Sequence, residues 1–291
     1  MTIAPPAEGA LPDPEDVQAA LQPLVELLSG RRLAVLTGAG ISTDSGIPDY
    51  RSPGARPRRP MTHQQFVSSE RFRRHYWARN HIGWRHLQQA EPNPGHHALA
   101  AMERAGLLTG LITQNIDLLH VRAGSRHVVH LHGRYDRVLC LACGLVLSRE
   151  EHDATLVALN PHWLDSLSAV ADLEVAPDAD VVLDSTAEFR IADCPRCGGI
   201  LKPDVVFFGD NTPRDRVEEA GAIVDEAEAL LVAGSSLAVM GGLRYVRRAA
   251  KAGRPVGIVN RGTTRGDDLA HLRVHVGTSE ALPTLARALG A

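Results

Sequence analysis

No apolar run among the 291 residues approaches the roughly 20 needed to span a bilayer, so no membrane-crossing helix is expected. The opening stretch MTIAPPAEGALPDPED is proline-rich and acidic where a targeting sequence would be basic, which makes a cytoplasmic protein the expectation. Positive charge is not in excess either. With a formal net charge of -3 the chain has no general basic surface, nucleic acid would have to be held by a local patch, and direct nucleic-acid binding is not expected. Cysteine is scarce: there are four, all in Cys-x-x-Cys pairs, Cys140 with Cys143 and Cys194 with Cys197, and none is left over. Without a secretion signal, such pairs argue against a disulfide framework. No internal repeat and no low-complexity tract interrupts the chain, and nothing in the pattern selects an oligomeric state.

The remainder is ordinary globular material. Hydrophobic residues make up 44% and charged residues 22%, which sets aside wholesale disorder and a fibrous protein, and the length suits an α/β domain carrying a smaller module. Asp13 can cap a helix with Pro14 in its first position. Val17, Ala20, Leu21, Leu24, Val25 and Leu28 then recur at helical spacing up to Gly30, with Pro23 expected to kink the helix. Short apolar runs follow at Leu33 to Leu36, Leu111 to Thr113, Leu230 to Ala233 and Val256 to Val259, each ending in small or polar residues. A helical pattern around Leu243, Val246 and Ala250 separates the last two. These are expected to be βα units of a parallel sheet with helices on both faces, a Rossmann-like core whose ligands sit outside the carboxyl ends of the strands.

The stretch holding both cysteine pairs breaks this grammar. Residues 1–16 read as a flexible N-terminus, 17–139 and 200–291 as the Rossmann-like domain, and 140–199 as an inserted small module. Within that module, 151–190 is expected to be partly helical or loosely ordered, with a region rich in Asp, Ala and Val at Leu173 to Asp184.

Gly38, Ala39 and Gly40 after a strand suit a phosphate-cradling turn, because glycine lets backbone approach an anion and a following helix N-terminus favours it. The third glycine of the dinucleotide fingerprint is absent, Thr43 standing in its place, so a tight turn without ligand stays open on these residues alone. The cysteine pairs are stronger: Gly144 and Gly198 follow the second cysteine of each, permitting turns through which four thiolates converge on a structural Zn2+. Val205 to Phe208 would be a buried strand.

The run GAGISTDSGIPDYRSPG, Gly38 to Gly54, resembles the signature of the sirtuin family over its whole length. TQNIDLLH at Thr113 to His120, HLHG at His130 to Gly133, both cysteine pairs, KPDVVFFGD at Lys202 to Asp210, GSSL at Gly234 to Leu237 and VN at Val259 to Asn260 follow in the family's order. PDYRS, YWARN, VLCLACG and TRGDDLA look most like the class II sirtuins, the group of the mitochondrial lipoamidase-type enzyme.

The resemblance implies an NAD-dependent protein-lysine deacylase acting on acylated-lysine proteins or peptides. Gly38, Ala39 and Gly40 would hold the NAD pyrophosphate, and a loop of Ile47, Pro48, Asp49, Tyr50 and Arg51 would close over the cofactor. Gln114, Asn115, Ile116 and Asp117 would line the nicotinamide pocket. Gly234, Ser235, Ser236, Asn260, Arg261, Gly262 and Thr278 would complete the contacts. His132 matches the family's general base on a ribose hydroxyl, a role suited to imidazole; His130 stands where many relatives carry Glu and, on one strand with His132, would point to the same side. Val206, Phe207, Phe208 and Gly209 would hold the substrate peptide as an added strand. NAD is then consumed: the acyl oxygen attacks the nicotinamide ribose carbon, nicotinamide leaves, and O-acyl-ADP-ribose and free lysine are released. Mono-ADP-ribosyl transfer to protein would use the same pocket, and a zinc-ribbon adaptor without catalysis is the alternative of another class. Tyr76 and Arg79 repeat the Tyr-x-x-Arg spacing with which desuccinylase-type sirtuins hold acidic acyl groups, but the surrounding YWARN resembles class II instead, and a structural role is expected for the pair.

Overall fold

The computed structural model describes residues 14–49, 60–163 and 186–291. Tyr50, Arg51, most of the N-terminal segment and the Leu173 to Asp184 region lie outside them. The described residues within Met1–Gly46, Glu91–Leu131 and Thr212–Ala291 form one compact unit, and those within Ile47–Ala90 and His132–Asn211 a second. The cysteine-bearing unit thus takes in the described residues of Ile47–Ala90 along with those of 140–199.

In the first unit two of the apolar runs become strands β1 (Leu33–Thr37) and β2 (Leu108–Thr113), and a strand the sequence did not announce, β3 (Val128–His130), pairs with β2. Further along the chain, this unit supplies three more strands, Ala229–Ala233, Val256–Val259 and Leu272–Val274. Together they form one six-stranded sheet, all parallel, in which Leu33–Thr37 lies between Leu108–Thr113 and Ala229–Ala233. Counted within the unit the order is 3-2-1-4-5-6, that of a doubly wound dinucleotide-binding sheet. Alternation sets its two faces: Leu33 and Val35 join one buried cluster, Ala34 and Leu36 the other. The first cluster takes apolar side chains from helices Pro14–Leu28, Pro94–Arg104 and Thr278–Ala288, and the second from Arg214–Glu226 and Met240–Lys251. Burial on both faces is why the strands read as continuous apolar runs. The first helix continues through Pro23 to Leu28.

The second unit holds α2 (His63–Ser68), α3 (Glu70–Gln89), β4 (Gly133–Cys140), β5 (Val146–Ser148), α6 (Arg149–Leu159) and β6 (Leu201–Val205), where α1 is Pro14–Leu28, α4 Pro94–Arg104 and α5 the short turn Leu119–Arg122. Its sheet is antiparallel, ordered β5-β4-β6. Thr62 and Gln65 cap α2 reciprocally, and Ser148 and Glu151 do the same for α6. The guanidinium of Arg149, 1% exposed, lies 5.1 Å from the Trp77 ring and 4.9 Å from that of Trp84, fastening α6 to α3. Asp153 of α6 accepts from Trp84 Nε1 and Arg85 of α3. Strand β6 is Leu201–Val205, not the expected Val205 to Phe208: Phe208 is 48% exposed and touches strand geometry only in an isolated bridge to Thr62. The remaining elements are α7 (Arg214–Glu226), β7 (Ala229–Ala233), α8 (Met240–Lys251), β8 (Val256–Val259), β9 (Leu272–Val274) and α9 (Thr278–Ala288). Among the described residues no helix is long and apolar enough to cross a membrane.

Candidate cofactor cradle and metal centre

The order of the first unit's sheet reverses between β1 and β7, and both strands end in glycine there. The turns interlock through backbone: Gly40 N–H donates to the Gly234 carbonyl at 2.8 Å. A Cβ on Gly40 would stand 2.9 Å from that oxygen, and one on Gly234, whose φ is +63°, would stand 2.4 Å from the Ile41 nitrogen. No other residue fits such an approach. After Gly38 the chain makes a pair of 3-10 turns, Ala39–Ile41 and Thr43–Ser45, instead of the expected helix.

Most of the sequence-derived cofactor residues gather at the carboxyl ends of this sheet. Gln114 and Asn115 leave β2. Gln114 Oε1 accepts from Ser235 Oγ at 2.7 Å, and Asn115 Nδ2 donates to the Gly38 carbonyl and to Ser42 Oγ. Ile116 is buried, and Asp117 accepts from Ser42 Oγ at 2.7 Å and from Leu119 N–H. Burial raises the Asp117 carboxyl above its ordinary range, although the hydrogen bonds from Ser42 and Leu119 oppose this. Gly234, Ser235 and Ser236 leave β7; Asn260, Arg261 and Gly262 leave β8, with Arg261 between Asp44 and Glu280; Thr278 opens α9. Ile47, Pro48 and Asp49 belong to the second unit.

Under the cradle lies a polar network that sequence reasoning only touched. Thr37 Oγ1 meets Thr113 Oγ1 and His120 Nε2, each at 2.9 Å, and the His96 and His120 rings stand 4.8 Å apart. Asn93 caps α4, accepts from His96 N–H, and donates to the Ile41 carbonyl, so His96 has a structural hydrogen-bonding role. Burial, with His97 adding, pushes His96 down to about 3; burial, with His96 and His130 adding, holds His120 well below the usual imidazole range. Both stay neutral in the fold, while the unfolded chain takes up protons below about pH 6.5. Their stabilisation is therefore complete above that pH and declines as pH falls, by up to about 1.4 kcal/mol per unit for each. Asp117 acts oppositely, because its raised carboxyl favours the fold as pH falls. The melting temperature is expected to drop between pH 6.5 and 5, before most carboxylates titrate; a constant value across that window would refute this.

In the second unit His132 lies in the turn between β3 and β4, half-buried, its carbonyl accepting from Val206 N–H at 2.9 Å. His130 ends β3, so the two histidines do not share a strand. Val206 and Phe207 follow β6, Phe207 buried against Phe66 and Tyr76, and Gly209 has φ +78°.

The four cysteine sulfurs lie within 4.8 Å of one another, with Cys140 Sγ to Cys197 Sγ at 3.5 Å and Cys143 Sγ to Cys194 Sγ at 3.7 Å. A tetrahedral Zn2+ with bonds of about 2.3 Å sets its sulfurs about 3.8 Å apart, so the set fits zinc and leaves no open position. Gly144 and Gly198 both adopt φ +69°, the left-handed turns expected after each pair.

A doubly wound sheet with a glycine cradle at its switch point, in a chain that also carries a four-cysteine centre, defines a dinucleotide-binding protein with a zinc module. Residues 38–241 match the Sir2 family. The chain is 57% identical over 263 residues to the NAD-dependent protein deacetylase 1 of Mycobacterium avium (strain 104), covering 90% of this chain and 93% of that one. It is 46% identical to the NAD-dependent protein deacylase SIR4 of Monosiga brevicollis, covering 90% and 87%. Among solved structures, a Sir2 homologue mutant in complex with ADP-ribose aligns with TM-score 0.72 at 28% identity, covering 92% of this chain and 96% of that one. A Sir2 protein bound to a propionylated peptide aligns at 0.67 and 30%, covering 90% and 95%. The chain belongs to the Sir2 family, the sirtuins.

Proposed function

We propose that this protein removes acyl groups from protein lysines at the expense of NAD, releasing nicotinamide and O-acyl-ADP-ribose. The observation that carries the reading is the backbone cradle of Gly38–Gly40 on Gly234, with Asn115, Asp117 and Ser42 hydrogen-bonded beside it, in a chain whose relatives are named for NAD-dependent deacetylation. Gly38, Ala39 and Gly40 serve the pyrophosphate, the glycines letting it approach the backbone. Asp117 serves the nicotinamide carboxamide. Gly234, Ser235, Ser236, Asn260, Arg261, Gly262 and Thr278 serve the rest of the cofactor. His132 takes a proton from a ribose hydroxyl. Ile47 to Arg51 cover the reacting centre against water, and Val206 to Gly209 receive the acyl-lysine peptide as an added strand. Cys140, Cys143, Cys194 and Cys197 hold one structural Zn2+ that takes no part in the chemistry. The 140–199 span is its module, 17–139 and 200–291 the NAD-binding domain, and the cytoplasm the place of action.

Within the family we place the chain in class II, with an acyl preference beyond acetyl. Each further buried methylene adds about 0.8 kcal/mol, nearly fourfold in affinity. The Tyr76 ring is packed edge-on against Phe66 and Trp77, and Arg79 reaches back to His75 Nε2 at 2.7 Å, which favours structural roles for both. An acyl-peptide panel with NAD, read by mass spectrometry of both products, is expected to show kcat/KM rising from acetyl through butyryl to longer chains, unchanged in order by Arg79→Met. Fastest turnover of succinyl peptides, lost selectively in Arg79→Met, would reverse that assignment. ADP-ribosylated protein in place of O-acyl-ADP-ribose would overturn the deacylase reading, and an absence of nicotinamide release with every peptide would leave only the adaptor.

A further inference from the structure

We propose that Lys251 is this protein's one acyl-acceptor lysine, and that its donors are activated acyl groups carried on phosphate-bearing leaving groups. Of the 31 lysines and arginines only two are lysines, Lys202 and Lys251. The distinction is chemical. A guanidinium remains protonated and offers no acyl-accepting amine, whereas a lysine Nζ accepts acyl groups once it loses a proton.

The two lysines stand in opposite surroundings. Lys202, on β6, is 6% exposed; its Nζ donates to the Val205 and Pro203 carbonyls, stands 3.6 Å from the Asp210 carboxylate and lies 4.5 Å from the Phe207 ring centre. An amine enclosed in this way gives a donor no approach. Lys251 is the last residue of α8 and is exposed. Arg244, Arg247 and Arg248 precede it by seven, four and three residues, a spacing that sets all four on one helix face, and all are exposed. Asp225 takes both arms of the Arg248 guanidinium. Among the described residues Arg244, Arg247 and Lys251 have no such carboxylate. The one exposed lysine amine therefore ends a cationic row that concentrates anionic donors.

In the transfer the unprotonated Lys251 Nζ attacks the acyl carbonyl carbon and a C–N bond forms. The bond from that carbon to the phosphate oxygen of an acyl phosphate, or to the sulfur of a coenzyme A thioester, breaks. The leaving group departs with the electron pair, and the amine's surplus proton passes to solvent. The product is a neutral amide, and the row loses one charge.

The test needs no NAD and so stands apart from the deacylase reading. The full-length zinc-loaded protein is incubated with acetyl phosphate in one arm and acetyl-coenzyme A in the other, with a lysine-containing peptide in each tube as an internal standard, and peptides are mapped by mass spectrometry. Lys251 is expected to be acylated at least about tenfold faster than Lys202, since enclosure blocks the latter, and Lys202 to react only after unfolding in denaturant. The faster arm identifies the donor. Replacing Arg244 and Arg247 with glutamine is expected to slow Lys251 acylation about threefold at low salt and to have no effect at high salt. Equal acylation of both lysines in the folded protein, or an unmodified Lys251 beside an acylated standard peptide, would overturn the site. An unchanged rate in the double variant at low salt would overturn the recruitment by the arginine row.

Discussion

His132→Ala is expected to leave the fold, the zinc content and NAD binding intact while lowering acyl-peptide turnover by about 10² to 10⁴-fold, the usual contribution of a general base. The substitution is clean because the backbone around His132 is fixed independently of its ring. Its carbonyl accepts from Val206 N–H, and Gly133, which pairs with Val205, turns the chain into β4 at φ +88°. Alanine removes the imidazole without removing either tie. An imidazole is the side chain suited to taking a hydroxyl proton near neutral pH. His130→Ala separates the roles: this buried residue ends β3, and its loss is expected to lower thermal stability more than turnover. Nicotinamide release measured beside a melting curve and an NAD titration checks both variants. A folded His132→Ala protein with near-normal deacylation would remove His132 from catalysis.

The parallel core was legible because its strands are buried on both faces. Leu33 to Leu36, Leu230 to Ala233 and Val256 to Val259 read as continuous apolar runs, and each forms a strand of the sheet. The cysteine pairs were legible because metal ligation needs a fixed spacing. By contrast, α3 gave no clear signal. Its buried face carries Tyr76, Trp77, Asn80, His81, Trp84 and Leu87, and polar members break the apolar period on which sequence reading depends. They are buried because tertiary partners satisfy them, as Asn80 receives Arg149 and His81 meets Asp153, and such pairings are not local in sequence. The slipped strand has a similar origin. Val205 to Phe208 is the most apolar part of its segment, but β6 is set by pairing with β4, in which Cys140 meets Leu201 and Leu139 meets Lys202. Ser42 lay inside the family signature without being singled out; only the fold shows it donating to Asp117 and receiving Asn115.

Cys194→Ser is expected to abolish zinc binding and to destabilise the second unit outright, with activity lost as a consequence of structure. Native protein should contain one zinc per chain by elemental analysis. Without a cation the four thiols cannot ionise together. Cys140 is drawn down to about 6, chiefly by the Cys143 N–H, whereas the Gly199 N–H favours the Cys197 thiolate but is outweighed by the Cys143 and Cys140 sulfurs, which push it up to about 12. A divalent ion reverses that conflict by favouring the thiolate at every sulfur. Zinc supplies roughly 10 to 16 kcal/mol in small modules that are unfolded without it. The second unit has a core of its own in Trp77, Trp84 and Arg149, so part of that energy is not needed for α3 and α6. The register of β4 against β6 is expected to depend on the metal, because Cys140 ends the one and the Cys194–Cys197 turn precedes the other. Chelation should therefore increase hydrogen exchange in β4, β5 and β6 and spare β1, β2 and β7, with zinc restoring both protection and activity. Full activity in zinc-free protein, or native protein containing no zinc, would rule the structural site out.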